Sequence, residues 1–456
     1  MMIRIANGAG FLGDNLDAPR RLVEAAEVEY LTLEYLAELT LSILARLREK
    51  NPAAGYAADF ITVLRSLGPA LALQPNLRVV TNAGGMNPRA CAQAAATVLA
   101  AAGLDDALVG VVEGDDLLAR LGEIQAAGCR LENLDTRQPL SELSAPIVSA
   151  NAYLGARPIV AALDGGARVV ITGRVADASL TVGPAIHEFG WDWDDWNRLA
   201  GASVAGHLIE CGAQVTGGLY RHWQNLNLAN VGYPIAEIES DGTATITKPA
   251  GTGGVVNRHT VAEQLLYEIG DPAHYLTPDV DIDFTTVELT ETGADRVLVR
   301  SATGRPAPEN LKVSLAYRAG FAASGQLVVY GADCINKARA CGQMILDRVA
   351  TAGFLLEATN IECIGAGDAV PGLHPAPRNL REVVLRVAVR DSRREAVERF
   401  TTEFAPLITG GPPGLAGYAS GRSAVRPVFA YWPALVPRDF IKCHVEVQAA
   451  RDWLVT

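Results

Sequence analysis

Short apolar runs without alternation recur through the first part of the chain. They lie at residues 3–6, 28–33, 77–81, 107–112, 147–150 and 167–171. Unbroken apolar strands of this length belong to a parallel sheet covered on both faces. Segments of helical spacing separate them. One starts at Asp17, with Pro19 in its first turn and Leu22, Val23 and Ala26 on one face. Others span 36–50, run through an Ala-rich stretch to Ala102, and start at Leu117. This alternation predicts an α/β domain.

The texture changes near Val231. Residues 233–238 and 243–247 read as a β-hairpin around Asp241-Gly242, followed by a Gly-rich loop at 248–254 and a short helix at 261–269. Pro272 and Pro278 mark a connection. Beyond it, strands are expected at 288–289, 296–301, 311–317, 361–364, 383–389, 425–431 and 442–447, with helices at 334–351 and 393–404. The predicted fold class is α/β: a mostly parallel, Rossmann-like N-terminal domain over 1–284 and a smaller α+β domain over 285–456.

Composition narrows the function. The chain has 456 residues and a formal net charge of −12, which argues against a nucleic-acid surface, because phosphate binding needs a basic face. Seven cysteines, an odd number without a CxxC pair, fit a reducing cytoplasm better than a disulfide framework. No signal-peptide pattern opens the chain and no window reaches a membrane span; the apolar stretch at 67–77 is broken by Pro69 and Pro75. His222, His259 and His274 show no metal-ligand spacing, so no metal is expected.

Candidate chemistry collects where strands end. Asn7, Glu34, Asn82, Glu113, Asn151 and Arg174 each follow a predicted strand. In open parallel sheets ligands bind outside the carboxyl ends of the strands. Any one of these residues could simply cap a loop; six in one topological place predict a shared pocket. The densest chemistry lies between 167 and 218. Arg174, Asp177 and Ser179 suit a carboxylate or a polarised carbonyl, or a salt-bridged turn. His207 and Cys211 share a helix face, so that an imidazolium could support a thiolate, although a buried cysteine is often only a small apolar residue. Glu210 is the other candidate base.

Two Gly-rich loops add possibilities. Gly8-Ala9-Gly10-Phe11-Leu12-Gly13 matches GxGxxG after a strand, with Glu34 near the acidic position of a dinucleotide site. Asp14, Asn15 and Asp17 intervene before a helix can start, and acidic groups there would repel a pyrophosphate. Gly8 and Gly10 are therefore expected beside a smaller ligand. The loop with Lys248, Gly251 and Gly253 could cradle a phosphate or carboxylate, or be an ordinary loop.

Segments 8–14, 81–85, 172–177, 209–218, 232–235 and 248–254 together resemble the acyclic terpene utilisation AtuA family in order and spacing across nearly the whole chain. The resemblance implies a place in bacterial catabolism of acyclic terpenes or branched acyl-CoA compounds. Some longer members look as though they carry an extra small ferredoxin-like domain beyond the position of Thr456, which implies for this chain either a small separate partner protein or loss of that function.

These readings converge on an enzyme of lyase or hydratase type acting on a small carboxylate or acyl-CoA. Glu210 or Cys211, with His207, would move the proton; Arg174, Asn82 and the amides around Gly84 and Gly85 would hold the oxyanion. Asp177 completes the catalytic set. No cofactor is expected beyond a CoA thioester as substrate. The alternatives are an NAD(P)- or flavin-dependent oxidoreductase built on Gly8–Gly13 and a non-catalytic subunit of an acyl-CoA-processing complex. A homo-oligomer in the cytoplasm, without nucleic-acid or membrane partners, completes the expectation.

Overall fold

The computed structural model describes residues 1–373, 379–417 and 421–454; Val455 and Thr456, the last residues of the expected ending, lie outside them. The chain forms two compact units, Met1–Ala316 with Tyr431–Thr456, and Tyr317–Ala430. The first unit takes in residues 285–316, which the sequence assigns to the second domain, and the strand nearest the C-terminus.

In the first unit the strands are β1 (Met2–Asn7), β2 (Tyr30–Leu33), β3 (Arg78–Thr81), β4 (Leu108–Glu113), β5 (Ile147–Ala152), β6 (Val169–Thr172), β7 (Ile235–Glu239) and β8 (Ala244–Thr247). They continue with β9 (Tyr275–Leu276), β10 (Asp281–Asp283), β11 (Glu288–Gly293), β12 (Arg296–Arg300) and β13 (Thr303–Arg305), and β14 (Asn310–Tyr330) begins in this unit and runs on into the residues of the second. Five of them, in the order β1-β2-β3-β6-β4, run parallel. Val79, Val80, Val109, Val111, Val169 and Ile171 are all fully buried in it, as the unbroken apolar runs require.

The sheet as a whole is mixed. The hairpin β7–β8 turns at Gly242, whose φ of +89° suits glycine, and joins the edge of β1 antiparallel. β12 and β11 extend that edge. The parallel order is not the 3-2-1-4-5-6 order of a dinucleotide fold. β5 was expected to continue the parallel rhythm; it pairs with β14 instead.

The helices that position the site are α1 (Ala18–Ala25), α2 (Glu38–Lys50), α3 (Ala58–Leu73), α4 (Pro88–Ala101), α5 (Leu121–Ala126), α6 (Arg157–Asp164), α7 (Ser179–Phe189), α8 (Trp196–Glu210) and α9 (Arg258–Leu265). α9 opens with a capping box between Asn257 and Thr260. Pro88 starts α4 and Asn87 accepts from the Ala90 amide.

The second unit holds α10 (Cys334–Thr351), β15 (Ala358–Ile364), β16 (Glu382–Asp391) and α11 (Arg394–Thr401). β16 lies between β15 and the later part of β14, all antiparallel. Ala338, Cys341, Ile345 and Val349 of α10 share a buried core with Leu385, Val387 and Phe400. Residues 415–416 form β17, and β18 (Arg426–Pro437) leads the chain back to β19 (His444–Ala449), which pairs antiparallel with β4. Among the described residues no helix is long and apolar enough to cross a membrane.

Candidate active site

The carboxyl ends of β1, β2, β3 and β6 deliver Asn7, Glu34, Asn82 and Arg174 to one side of the first unit. Asn7 is the last residue of β1, and its amide donates to the carbonyls of Ile209 (2.6 Å) and Glu210 (2.8 Å). It thereby ties the end of α8 to the sheet and satisfies two of the carbonyls that a helix end leaves open. Glu210 is placed over the strand ends by this contact.

Glu210 is paired within its own helix. Its Oε1 lies 3.1 Å from Nδ1 of His207, and Nε2 of the same ring lies 2.9 Å from the carbonyl oxygen of Gln264. A carbonyl only accepts, so Nε2 carries a proton. Nδ1 and Glu210 then share the next one: either a neutral carboxyl donates to a neutral ring, or a carboxylate faces an imidazolium. Burial pushes Glu210 up to about 7. Burial works to lower His207, but the contact with Glu210 outweighs it and raises the imidazole. The ring is held edge-on by Phe284 at 5.5 Å and tilted against Tyr275 at 5.9 Å.

Arg174 anchors a second cluster. Its guanidinium is almost wholly buried, lies 4.1 Å from the ring centre of Tyr153, and donates to Asp177 Oδ1 (2.6 Å) and the Leu36 carbonyl (3.1 Å). Burial opposes the charge most strongly, but Asp177 leads the neighbouring groups that together outweigh that cost and keep Arg174 cationic. Glu34 lies 4.0 Å from the same nitrogen. Its Oε1 accepts from the Leu36 amide (2.8 Å) and the Asn82 side chain, while Asn82 Oδ1 accepts from the Tyr35 amide (2.8 Å). Burial, and then the charge of Asp177, hold Glu34 well above the usual carboxylate range. The charge of Asp177 also adds to the burial that raises Glu210, so this one carboxylate acts on both Glu34 and Glu210.

The remaining expected residues divide by their partners. Asn151 donates to Asp115 Oδ2 (2.8 Å), which also accepts from the Arg174 amide (2.8 Å), so both support the cluster from behind. Burial pushes Asp115 up to about 6. Cys211 follows α8, and burial, with Glu210 next to it, pushes its thiol up to about 12. Ser179 donates to Asp279 (2.7 Å) at the start of α7. Glu113 faces away and pairs with Arg89 at 2.9 Å. Lys248 is engaged by the Thr252 carbonyl (3.0 Å) and hydroxyl (3.2 Å) of its own loop and by Asp295 of the β11–β12 turn (3.0 Å). Gly253 packs on Asn227 of a neighbouring segment, and Gly251 turns with φ +75° in open space.

The glycines of the N-terminal loop have a packing role. A Cβ on Gly10 would meet the Cys211 carbonyl carbon at 2.7 Å, and one on Gly8 would meet Pro19 at 3.0 Å. α1 begins only at Ala18, so the glycines do not open a helix. A Cβ on Gly84 would meet the Thr172 carbonyl at 2.5 Å, and the amide of Gly85 donates to the Asn82 carbonyl (3.1 Å). Gly84 thus lets the β3 loop approach the end of β6, while Gly85 closes the turn within the β3 loop and packs towards Leu44.

Sequence reasoning missed several members. Tyr153 donates to Glu38 (2.6 Å), and Lys312 reaches both Glu38 (3.3 Å) and the Tyr153 ring (4.9 Å). Burial opposes the Glu38 anion, but the Tyr153 hydroxyl leads the groups that bring it down to about 2. Tyr275 and the Gln264 carbonyl were also missed. A strand-end rule could have found Asp115; nothing in sequence marks a particular backbone carbonyl. Among the described residues no group of three or more His, Cys, Asp or Glu is placed to hold a metal ion.

Residues 3–447 match the family model described as acyclic terpene utilisation family protein AtuA, and the chain belongs to that family. Neither a curated protein nor a solved structure matches it.

Proposed function

We propose that this AtuA-family chain is a proton-transfer enzyme of lyase or hydratase type, acting in acyclic terpene utilisation on a small carboxylate or branched acyl-CoA. The observation that carries the reading is the His207–Glu210 pair, locked by the Gln264 carbonyl, with the charge of Asp177, the partner of the buried cation Arg174, acting on Glu210.

Addition or removal of water next to a carbonyl needs a base, an acid and a stabilised oxyanion. With the shared proton on His207, Glu210 is a carboxylate that can take a substrate proton. The imidazolium can return its proton through Glu210 to the other reactant in the following step. A pair poised near pH 7 suits both halves. Arg174 supplies the positive charge for a carboxylate or an enolate, and the Tyr153 face and Asp177 fix its plane.

The test is proton exchange. Purified protein is incubated with branched acyl-CoA thioesters and the free acids in deuterated water, and mass spectrometry follows deuterium uptake and gain or loss of water. The expected result is exchange by the native chain and none by Glu210→Gln. A native chain that neither exchanges nor hydrates any of them sinks the reading.

A further inference from the structure

Two buried polar atoms in the Arg174 cluster have no hydrogen-bond partner among the described residues: Oε2 of Glu34 and Nε of Arg174. Glu34 is 4 % exposed and Arg174 2 %. A buried donor or acceptor left unpaired is costly, and native chains rarely leave one without a purpose.

The geometry says which atom of Glu34 bears hydrogen. Oε1 already accepts two N–H donors, from Leu36 and Asn82. There is one cation at hand, and Asp177 has the closer hold on it, at 2.6 Å against 4.0 Å for Glu34. Asp177 is also partly exposed, so water shares its charge, whereas a carboxylate on the buried Glu34 would have no counter-charge of its own. Glu34 is therefore a neutral acid, and its proton sits on the unpartnered Oε2. The raised pKa given by burial and Asp177 agrees. The Arg174 Nε–H is likewise a donor without an acceptor.

We infer that the Glu34 Oε2–H and the Arg174 Nε–H together bind an acceptor oxygen of the ligand, the carboxylate of a free acid or the carbonyl of a thioester. The site is thus a pair of donors, one neutral and one charged, that accepts an oxygen and rejects an ammonium or a hydroxyl hydrogen. The inference takes its ligand class from the proposed function; the protonation of Glu34 is independent of it.

Infrared difference spectroscopy of the native full chain against Glu34→Gln tests it, without any turnover. Glutamine keeps the accepting Oε1 and places an N–H where Oε2–H stood, so the fold is retained. The expected result is a protonated-carboxyl C=O band present in the native chain and absent in the variant. That band should shift when 3-methylbutanoate or its CoA thioester is added. In parallel, binding of these two probes should survive Glu34→Gln within about threefold and weaken at least tenfold in Glu34→Met, whose melting temperature serves as the fold control. Absence of the band, a band indifferent to both probes, or equal binding by Glu34→Met overturns the inference. Failure of the exchange reaction with the band and its shift intact would overturn only the catalytic reading.

Discussion

His207 Nε2 lies 2.9 Å from the Gln264 carbonyl, and that contact decides which ring nitrogen faces Glu210. The return contact runs from the Gln264 side chain to the His207 carbonyl at 3.1 Å. α8 and α9 thus clasp each other at the residue that orders the candidate base. Replacing Glu210 by Gln keeps the size and the hydrogen bond but removes the exchangeable acid. Turnover should fall about 10²- to 10⁴-fold, with the melting temperature nearly unchanged. Unchanged turnover would remove Glu210 from the reaction.

Gln264→Ala addresses the clasp rather than the chemistry. The backbone carbonyl that holds Nε2 remains, while the side-chain donor to the His207 carbonyl is lost. The expected outcome is a stability loss of about 1 kcal/mol and a smaller loss of kcat than in Glu210→Gln, measured by urea unfolding and by the exchange assay.

Stability should fall as pH rises from mildly acid to mildly alkaline values. Burial holds Glu34, Asp115 and Glu210 above their unfolded pKa values, Asp115 at about 6 and Glu210 at about 7. The folded chain then binds more protons than the unfolded one between about pH 4 and 7, so the slope of stability against pH is negative there. The raised His207 adds the same sign. Glu38, held at about 2, works the other way, and only below about pH 4. Urea midpoints should therefore peak near pH 4 and decline towards pH 8, and Asp115→Asn should shallow that decline. A rising curve over the same range would contradict the buried-acid assignment.

Gly10→Ala should act as a structural lesion beside the base. The added methyl meets the Cys211 carbonyl carbon at 2.7 Å, and relief means moving the end of α8. A loss of about 1–3 kcal/mol is expected, together with reduced turnover. NAD(P) and flavins should leave the melting temperature where it was; a clear rise with either would return this loop to nucleotide binding.

Lys248→Met should lower stability by about 2 kcal/mol and leave KM for the exchange substrate within about twofold. All three contacts of the ammonium are internal to the chain. A large KM effect without a stability loss would give Lys248 a role at the ligand.

Much of the scaffold was legible because its cause is local. Unbroken apolar runs marked β1, β2, β3, β4 and β6, the Asp241-Gly242 turn marked the β7–β8 hairpin, and α10 spans the expected 334–351. Strand pairing across long separations was not legible. β5 has the same apolar texture as β6, yet it pairs with β14. Pro69 reads in sequence as a break in the apolar stretch 67–77, yet α3 continues through it to Leu73. Of the strand-end residues, Glu34, Asn82, Asn151 and Arg174 meet in one hydrogen-bonded cluster and Asn7 bonds the end of α8. Strand-end position could not separate Glu113, whose side chain turns to Arg89, from those that converge. Nor could it see Gln264, whose part is played by a carbonyl every residue possesses.

The sheet edge at β4 is closed by β19, and Trp453 beyond it donates to the Val109 carbonyl across 344 positions of sequence. On the ribosome β4 emerges long before its partner does, and the whole of Tyr317–Ala430 must be made in between. For that interval the nascent chain presents an open, valine-rich strand, with Val109, Val111 and Val112, to its neighbours in the polysome. Synthesis rate and chaperone supply, rather than equilibrium stability, should therefore govern how much of this protein a cell obtains in native form.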